Sequence, residues 1–233
     1  DVAWEALEDA AGRVATDMHP QGVTNTVWAY ATFSSLTRIQ LPSSFAAMWD
    51  RACGFNAGSF IDEGLMMLFH AHLMIESLDS RHSVMVEHPE WLMKEARDAW
   101  MRQVENDVTI SRSHRNLAKV FDELGVTHEI ERLTDDGYFS MDIYLPEHDV
   151  CVEFDGPIHY YNMDDRDISD SSLPRDISAK RTARTQLRDY FLAKRCAKVV
   201  VVPWFEFAKV KASPEKRRQY VREKLHDAGI ECP

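Results

Sequence analysis

The first third of the chain, residues 1–76, has apolar side chains at the three- and four-residue spacing of amphipathic helices. Two apolar stripes follow one another: Trp4, Leu7, Ala11 and Val14, and then Val23, Val27, Trp28 and Ala31. Pro20 and Gly22 lie at the junction of the stripes, where one helix is expected to end and the next to begin. The pattern predicts a helix–turn–helix pair.

The same pattern returns about 41 residues later. The matching positions are Trp4 and Phe45, Leu7 and Met48, Ala11 and Ala52, Val27 and Leu68, and Trp28 and Phe69. Two matches at one period predict stacked helical hairpins, in which each unit packs against the next. Two unrelated pairs of amphipathic helices would produce a similar pattern, and this alternative stays open.

After a polar break at residues 77–88, the hydrophobic pattern changes twice. Pro89 precedes an amphipathic helix, and residues 111–113 begin another that Gly125 ends. From there the apolar period falls from 3.6 to 2, which indicates strands. We therefore place a domain boundary near residue 108. The predicted fold class is α+β, with a helical repeat region at 1–108 and an α/β domain at 109–233.

Residues 142–145 and 150–155 have the pattern of a hairpin with a four-residue turn. If Leu145 faces Val150, one face of the hairpin is wholly apolar. The opposite face then pairs Asp142 with Glu153 and Ser140 with Asp155. A slip of one residue would bury all of these acids in the core, so this register is the plausible one.

Acids at alternate positions of a strand need an explanation, because opposed carboxylates repel each other. Carboxylates that converge at a strand end usually bind a cation, share a proton or face a basic partner. A hairpin face that is exposed to water would tolerate them equally well. The sequence leaves both interpretations open.

The elements of the second half follow the order αβββαβ. They are predicted at residues 113–124, 126–132, 138–145, 150–155, 178–196 and 198–202. This order resembles the core of PD-(D/E)XK nucleases, and the resemblance implies Mg²⁺ on Asp142, Glu153 and Asp155, with water activated for attack on a phosphodiester. The Lys that this fold usually has two residues after the Glu is Asp155 here. Catalysis through these acids would need help from His159.

Two segments, VEFDGPIHY and RTARTQLRDYFLAKRCAKVVVVPWFEF, resemble the RAP domain, an RNA-associated module of organellar proteins with a nuclease-like fold. The resemblance covers residues 113–207. An acidic insertion at 163–174 is longer than the family usually carries, and we predict a disordered or partner-binding loop there. Residues 25–31, NTVWAYA, resemble the Trp–Ala helix of octotricopeptide repeats, which often precede RAP domains.

Two features of the RAP-like region are candidates for RNA contacts. Within the predicted helix at 178–196, basic side chains fall on one face: Arg181, Arg184, Arg188 and Arg195. They could bind phosphates, or form a solvated face that balances the acids of the chain. Trp204 and Phe205 follow the last strand and could stack on bases, or cover the end of the core.

Charge restricts the choice of partners. Of the formal net charge of −11, most lies in residues 1–110, which carry 16 acidic and 7 basic side chains. This excludes a generic nucleic-acid coat and favours protein partners for the helical half. No apolar run approaches the roughly 20 residues that span a bilayer, so no membrane partner is predicted. The four cysteines lack metal-site spacing, and reduced thiols are expected.

The chain begins at Asp1, which we interpret as a processed or trimmed end that has lost any targeting signal. The leading prediction is an RNA-binding protein of the mitochondrion, or alternatively the plastid. It would act without catalysis in RNA stability, RNA processing or ribosomal RNA binding. The alternatives are a structural subunit of a large organellar assembly, such as a mitochondrial ribosome, and a Mg²⁺-dependent endonuclease. Mg²⁺ is the only cofactor that any of these predictions requires.

Overall fold

The computed structural model describes residues 2–56, 58–78, 87–106, 112–161 and 180–231, without the side chains of residues 2–4 and 112–113. The chain divides into two compact units, Asp1–Asn106 and Asp107–Pro233, and each unit is described by itself. The acidic insertion predicted at 163–174 lies outside the described residues.

The first unit is helical. Its described helices are α1 (Val2–Val14), α2 (Pro20–Thr37), α3 (Ser44–Cys53), α4 (Asp62–Ser77) and α5 (Glu90–Asn106). Helix α1 packs against α3, and α2 packs against both α3 and α4. The helices that the 41-residue period matches are therefore in contact, while membership of a repeat family stays a prediction. None of the described helices is both long and apolar enough to cross a bilayer.

The predicted apolar stripes of this unit differ in burial. Val23, Val27 and Ala31 are fully buried, as the pattern predicts. In contrast, Leu7 is 62% exposed and Val14 is 48% exposed. Helix α1 has its main described contacts with α3, so only part of its apolar stripe is covered.

The second unit contains helices on both sides of a four-stranded sheet. Its described elements are α6 (Arg112–Glu123), β1 (Glu129–Leu133), β2 (Ser140–Leu145), β3 (Val150–Asp155), α7 (Ala183–Leu192), β4 (Lys198–Pro203), α8 (Trp204–Val210) and α9 (Pro214–Asp227). The strands lie in the order β1-β2-β3-β4, antiparallel except for the parallel pair β3–β4. The mixed α and β composition is confirmed, and the nuclease-like family assignment stays a prediction.

The register of the β2–β3 hairpin agrees with the sequence pattern. Leu145 pairs with Val150, and Ile143 pairs with Val152. These four side chains belong to a core that also includes Leu117, Val120 and Phe121 of α6, Phe207 of α8, and Val221 and Leu225 of α9. The apolar face of the hairpin is therefore covered by α6, α8 and α9.

The opposite face of β3 is buried as well, so of the two interpretations left open, the one with these acids exposed to water is wrong for this strand. Cys151, Glu153 and Asp155 have at most 1% of their surface exposed. Side chains of α7 and of the residues just before it cover this face. The sequence pattern could not reveal that cover, because the covering segment follows the strand by about 30 residues.

Helix α7 is shorter than predicted. Thr182 caps its first turn, since the Thr182 side-chain oxygen accepts a hydrogen bond from the Thr185 amide at 3.3 Å. Arg181 therefore precedes the helix, where it forms an isolated β-bridge with Tyr160. Arg195 follows the last helical residue, Leu192. The four arginines do not form the single helical face that the sequence pattern predicts.

Candidate functional site

The carboxyl end of β3 holds two buried acids against an arginine of α7. Arg188 Nη1 lies 3.1 Å from Glu153 Oε2, and Arg188 Nη2 donates to Asp155 Oδ1 at 2.8 Å. Arg188 also donates to Asp189 Oδ1, with a distance of 2.9 Å from Nη2. The guanidinium plane thus connects β3 to α7 through both acids of the strand.

A second arginine completes the arrangement. Arg181 Nη2 lies 2.7 Å from Asp155 Oδ2 and 2.6 Å from Asp189 Oδ2. Arg181 and Arg188 therefore hold Asp155 from both of its oxygens. We name the set Glu153, Asp155, Arg181, Arg188 and Asp189 the guanidinium cluster. The basic partner expected for the strand acids is present within the chain itself.

Burial sets the charge states in this cluster. It raises the pKa of the Glu153 carboxyl to about 7, even though Arg188 favours the charged form. Burial also disfavours the charge on Arg188, but its contacts with Glu153, Asp189 and Asp155 outweigh that effect and raise its pKa. Arg188 is therefore a permanent cation, whereas Glu153 titrates near neutral pH.

His159, the candidate for activating a water, is held beside this cluster. Its Nδ1 lies 3.1 Å from the Thr185 hydroxyl and 3.9 Å from Asp155 Oδ1. Burial, together with the nearby positive charge of Arg188, lowers its pKa. His159 is therefore neutral at neutral pH and is oriented by hydrogen bonding.

Asp142 contacts the neighbouring strand through backbone groups. Its Oδ2 accepts a hydrogen bond from the Phe154 amide at 2.7 Å, and its own amide donates to Glu153 Oε1 at 3.1 Å. The cross-strand repulsion expected between Asp142 and Glu153 is thus offset, because each carboxylate accepts an N–H from the opposite strand.

The three predicted magnesium ligands do not form an open metal site. Both oxygens of Asp155 face arginines, and the oxygens of Glu153 face Arg188 and the Asp142 amide. Mg²⁺ needs oxygen ligands in near-ideal octahedral geometry, and the guanidinium groups occupy that side of the carboxylates. Mg²⁺ binding by these acids stays a prediction.

A second buried cluster lies on the adjacent part of the sheet, and sequence reasoning missed most of it. His114 Nδ1 of α6 lies 3.2 Å from Glu131 Oε1 of β1, and His114 Nε2 lies 2.7 Å from the Asp142 backbone oxygen. Ser140 donates to Glu131 Oε2 at 2.9 Å. We name His114, Glu131 and Asp142 the imidazole cluster.

In the imidazole cluster, His114 and Glu131 each stabilise the charged form of the other. Burial disfavours the charged form of His114, but the Glu131 carboxylate and the oxygens of Asp142 outweigh it, so the pKa of His114 is raised. Burial also acts against the Glu131 charge, and hydrogen bonds from His114 and Ser140 reverse this and lower its pKa. The raised pKa of His114 favours its protonated form, an imidazolium.

One signal in the sequence could have located this cluster. His114 lies three and four residues before Leu117 and Ala118, which puts it on the apolar stripe of an amphipathic helix. A histidine on such a stripe needs a polar partner from another element. The partner, Glu131, has a φ of +54°, which no strand pattern predicts.

The remaining arginine and aromatic candidates are placed differently. Arg184 is exposed on the first turn of α7. Arg195 Nε lies 2.6 Å from Asp136 Oδ2, and its guanidinium group stacks on the Phe139 ring. Trp204 and Phe205 begin α8 and are half-buried, and the Phe205 ring lies 5.5 Å from the ring of Tyr160. Of the four arginines predicted to contact RNA, Arg184 is the most exposed to solvent.

The segments that follow β3 and β4 leave the same end of the sheet, because the strands are parallel and Asp155 faces Pro203. Ile158 in the first segment is 84% exposed, and Tyr161 is 48% exposed. The Ala183 amide donates to the Tyr161 hydroxyl at 3.3 Å, which places Tyr161 beside the start of α7. We name Ile158, Tyr161, Arg184, Trp204 and Phe205 the sheet-end surface.

Comparison with known proteins adds no assignment. No protein-family model matches the chain, and a search of curated proteins gives no match.

Proposed function

We propose that the chain is an organellar RNA-binding protein that acts in RNA stability, RNA processing or ribosomal RNA binding without cutting RNA. The mitochondrion is the proposed compartment, with the plastid as the alternative. The RAP-like motifs at 152–160 and 181–207 suggest the partner. We propose a non-catalytic role because Glu153 and Asp155 are paired with Arg188 and Arg181.

A metal-dependent nuclease needs carboxylates that are open to an ion and a lysine or an equivalent group beside the attacked phosphate. Here Asp155 stands at the lysine position and is fully buried. Its two oxygens are held by different arginines. A fixed guanidinium group satisfies the carboxylates but cannot activate a water molecule, because it stays protonated at any physiological pH.

The sheet-end surface is the proposed RNA contact. In open sheets with parallel strands, ligands commonly bind beyond the carboxyl ends of the strands. Tyr161 offers an exposed ring on which a base can stack, and Arg184 offers a guanidinium group for a phosphate. Trp204 and Phe205 extend the aromatic area behind β4. An aromatic surface beside a single accessible arginine suits single-stranded RNA better than a duplex.

The test is RNA affinity measured by fluorescence anisotropy at several salt concentrations. Arg184→Gln should flatten the plot of log K against log salt by roughly 0.7, the value for one phosphate contact on a single strand. Tyr161→Ala should weaken binding by about 1–3 kcal/mol and leave the slope unchanged. Arg222→Gln, an exposed arginine of α9, is the matched control. RNA affinity that neither variant changes would remove the sheet-end surface from the proposal.

Cleavage is tested separately. The purified chain should leave labelled RNA and DNA intact in the presence of Mg²⁺ or Mn²⁺. Cutting that disappears in Asp142→Ala would overturn the non-catalytic proposal and favour the endonuclease alternative.

A structural role in a large organellar assembly is a second candidate, and one observation favours it. The helical unit is strongly acidic and exposes several apolar side chains, among them Leu7, Ile39 and Ile61. Such a surface suits protein contacts better than phosphate contacts. Retention of the chain in its native assembly after complete RNase digestion would favour this role over direct RNA binding.

A further inference from the structure

The imidazole cluster has the residue types and the spacing of a metal site. His114 is 4% exposed, and the Glu131 side chain is 13% exposed. One nitrogen of His114 and one oxygen from each of the Glu131 and Asp142 carboxylates lie within 4.8 Å of one another. The three residues come from α6, β1 and β2, so an ion held by them would connect three elements.

The imidazole ring is oriented as metal-binding histidines usually are. Its Nε2 lies 2.7 Å from the Asp142 backbone oxygen, which can only accept, so Nε2 carries a hydrogen and donates. A histidine that binds a metal through one nitrogen typically donates its other N–H to a carbonyl or carboxylate. Nδ1 is then the nitrogen that faces Glu131.

The separation of the two facing atoms also suits an ion. Two ligand atoms on tetrahedral Zn²⁺, at bonds of roughly 2.0–2.1 Å, lie about 3.3 Å apart. His114 Nδ1 and Glu131 Oε1 are separated by 3.2 Å. An ion could therefore replace the proton between them with a displacement of a few tenths of an ångström, on the order of ordinary side-chain adjustment.

The charge balance leaves room for a further positive charge. The imidazolium of His114 faces two carboxylates, Glu131 and Asp142, and the buried Glu153 lies across the strand pair from Asp142. Asp142 Oδ2 accepts a hydrogen bond from the Phe154 amide, and the carboxylate keeps further lone pairs for an ion.

We propose that His114 Nδ1 and one carboxylate oxygen each from Glu131 and Asp142 bind a divalent transition-metal ion of the Zn²⁺ class. Nitrogen and oxygen ligands together suit Zn²⁺, Co²⁺ or Mn²⁺, whereas Mg²⁺ prefers oxygen ligands and water. The ion takes the place of the proton on Nδ1 and connects α6 to the β1–β2 hairpin. This site is separate from the guanidinium cluster and does not depend on RNA binding.

Calorimetric titration of the chelator-treated full chain with Zn²⁺ tests the proposal. We expect one ion per chain and, from titrations in buffers with different ionisation enthalpies, a release of protons, because Nδ1 must lose any hydrogen that it carries. Zn²⁺ in large excess over its Kd should raise the melting temperature by about 5 °C or more. The variants His114→Gln and Glu131→Gln should lose both effects, and His148→Gln, in the exposed β2–β3 turn, should keep them.

Thiols also bind Zn²⁺, and Cys53, Cys151 and Cys196 are free. Titration with Co²⁺ separates the two kinds of site, since thiolate ligands produce a strong near-ultraviolet charge-transfer band and nitrogen and oxygen ligands do not. Visible Co²⁺ bands without that charge-transfer band, lost in Glu131→Gln, support the proposal. No heat of binding, a thiolate band, or binding that both variants retain would overturn it and leave His114 as an internal imidazolium.

Discussion

Two buried clusters lie side by side in the second unit, and they solve the same electrostatic problem with different cations. The guanidinium cluster uses arginines, which remain charged at any pH that proteins tolerate. The imidazole cluster uses His114, whose charge depends on a proton that can leave. The positive charge of the guanidinium cluster is therefore fixed. The positive charge of the imidazole cluster is a proton, which can leave or be replaced by another cation.

This difference separates a structural role from a binding role within one sheet. At the guanidinium cluster, the acids that resemble nuclease ligands hold α7 against β3. At the imidazole cluster, the same proton that balances Glu131 is the one that a metal ion would displace. Two of the three acids that the sequence pattern marks, Glu153 and Asp155, thus hold the structure together, whereas the third, Asp142, belongs to the imidazole cluster, where the metal ion is proposed.

The largest expected effect comes from breaking the guanidinium cluster. Arg188→Met leaves Glu153 and Asp155 buried with only Arg181 nearby. Removing one partner of a buried ion pair costs about 3–5 kcal/mol, because the remaining charge stays uncompensated. Urea denaturation at pH 7 measures the free energy of unfolding.

Arg184→Met is the matched control for this change, because it removes the same side chain one helical turn earlier, at an exposed position. It should alter stability by no more than about 0.5 kcal/mol. A loss below about 1 kcal/mol in Arg188→Met would mean that Arg181 alone balances both acids, contrary to the permanent role assigned to Arg188.

The contrast between the clusters also shows what the sequence could predict. The hairpin register followed from the alternation and the turn length, since only one register keeps Ile143, Leu145, Val150 and Val152 on one face. A basic partner was one of the alternatives that the pattern left open for the acids. That partner could not be identified, because Arg181 and Arg188 follow the strand after a long insertion and periodicity carries no information on long-range pairing.

Helix α7 illustrates a second limit. Its apolar side, with Leu187 and Phe191 buried, follows the predicted period. Its start does not, because the Thr182 cap places Arg181 outside the helix and turns it towards Asp155. Glu131 marks a third limit, since the alternation of a strand does not predict a positive φ in its middle.

The second largest effect concerns the titratable cluster. His114→Gln removes a charge-assisted hydrogen bond to Glu131 and should cost about 1.5–3 kcal/mol in chelator-containing buffer. The folded-state pKa of His114 is raised from 6.5, so its contribution is complete below pH 6.5 and is lost as pH rises through the folded pKa. Glu131, with a pKa lowered from 4.5, contributes above pH 4.5 and loses its contribution as pH falls.

The difference in unfolding free energy between wild type and His114→Gln should therefore be greatest between pH 4.5 and 6.5 and should shrink at higher pH. His148→Gln, which changes an exposed histidine of the same unit, is the matched control. If the difference in unfolding free energy stayed constant up to alkaline pH, His114 would be neutral in the folded state. The imidazole cluster would then contain no titratable cation to contrast with the arginines.

A smaller effect is expected at Glu153, the titrating member of the otherwise permanent cluster. Its folded-state pKa of about 7 lies above the ordinary 4.5, so wild-type stability should fall as pH rises between these values. Glu153→Gln imitates the protonated acid. We expect it to match wild type near pH 5 and to exceed it by about 1–2 kcal/mol at pH 8. A variant less stable than wild type at pH 8 would show that Arg188 keeps Glu153 ionised.

The smallest expected effect concerns the backbone that the imidazole cluster requires. Glu153 and Asp155 reach their arginines from a regular strand, whereas Glu131 reaches His114 with a φ of +54°. A residue with a Cβ pays about 1–2 kcal/mol in that conformation, and glycine does not. Glu131→Ala and Glu131→Gly both lose the contacts with His114 and Ser140, so the difference between them isolates the backbone.

At an ordinary strand position glycine is less stable than alanine by about 0.5–1 kcal/mol, and the pair Leu133→Ala and Leu133→Gly in the same strand should show this. At position 131 this stability difference between glycine and alanine should disappear or reverse. Glu131→Gly should be at least as stable as Glu131→Ala in urea denaturation. If alanine is instead the more stable residue at both positions, the strand relaxes once the carboxylate is gone. The attraction between Glu131 and His114 would then be what bends β1, and the imidazole cluster would shape its own strand rather than use a bend that the fold already provides.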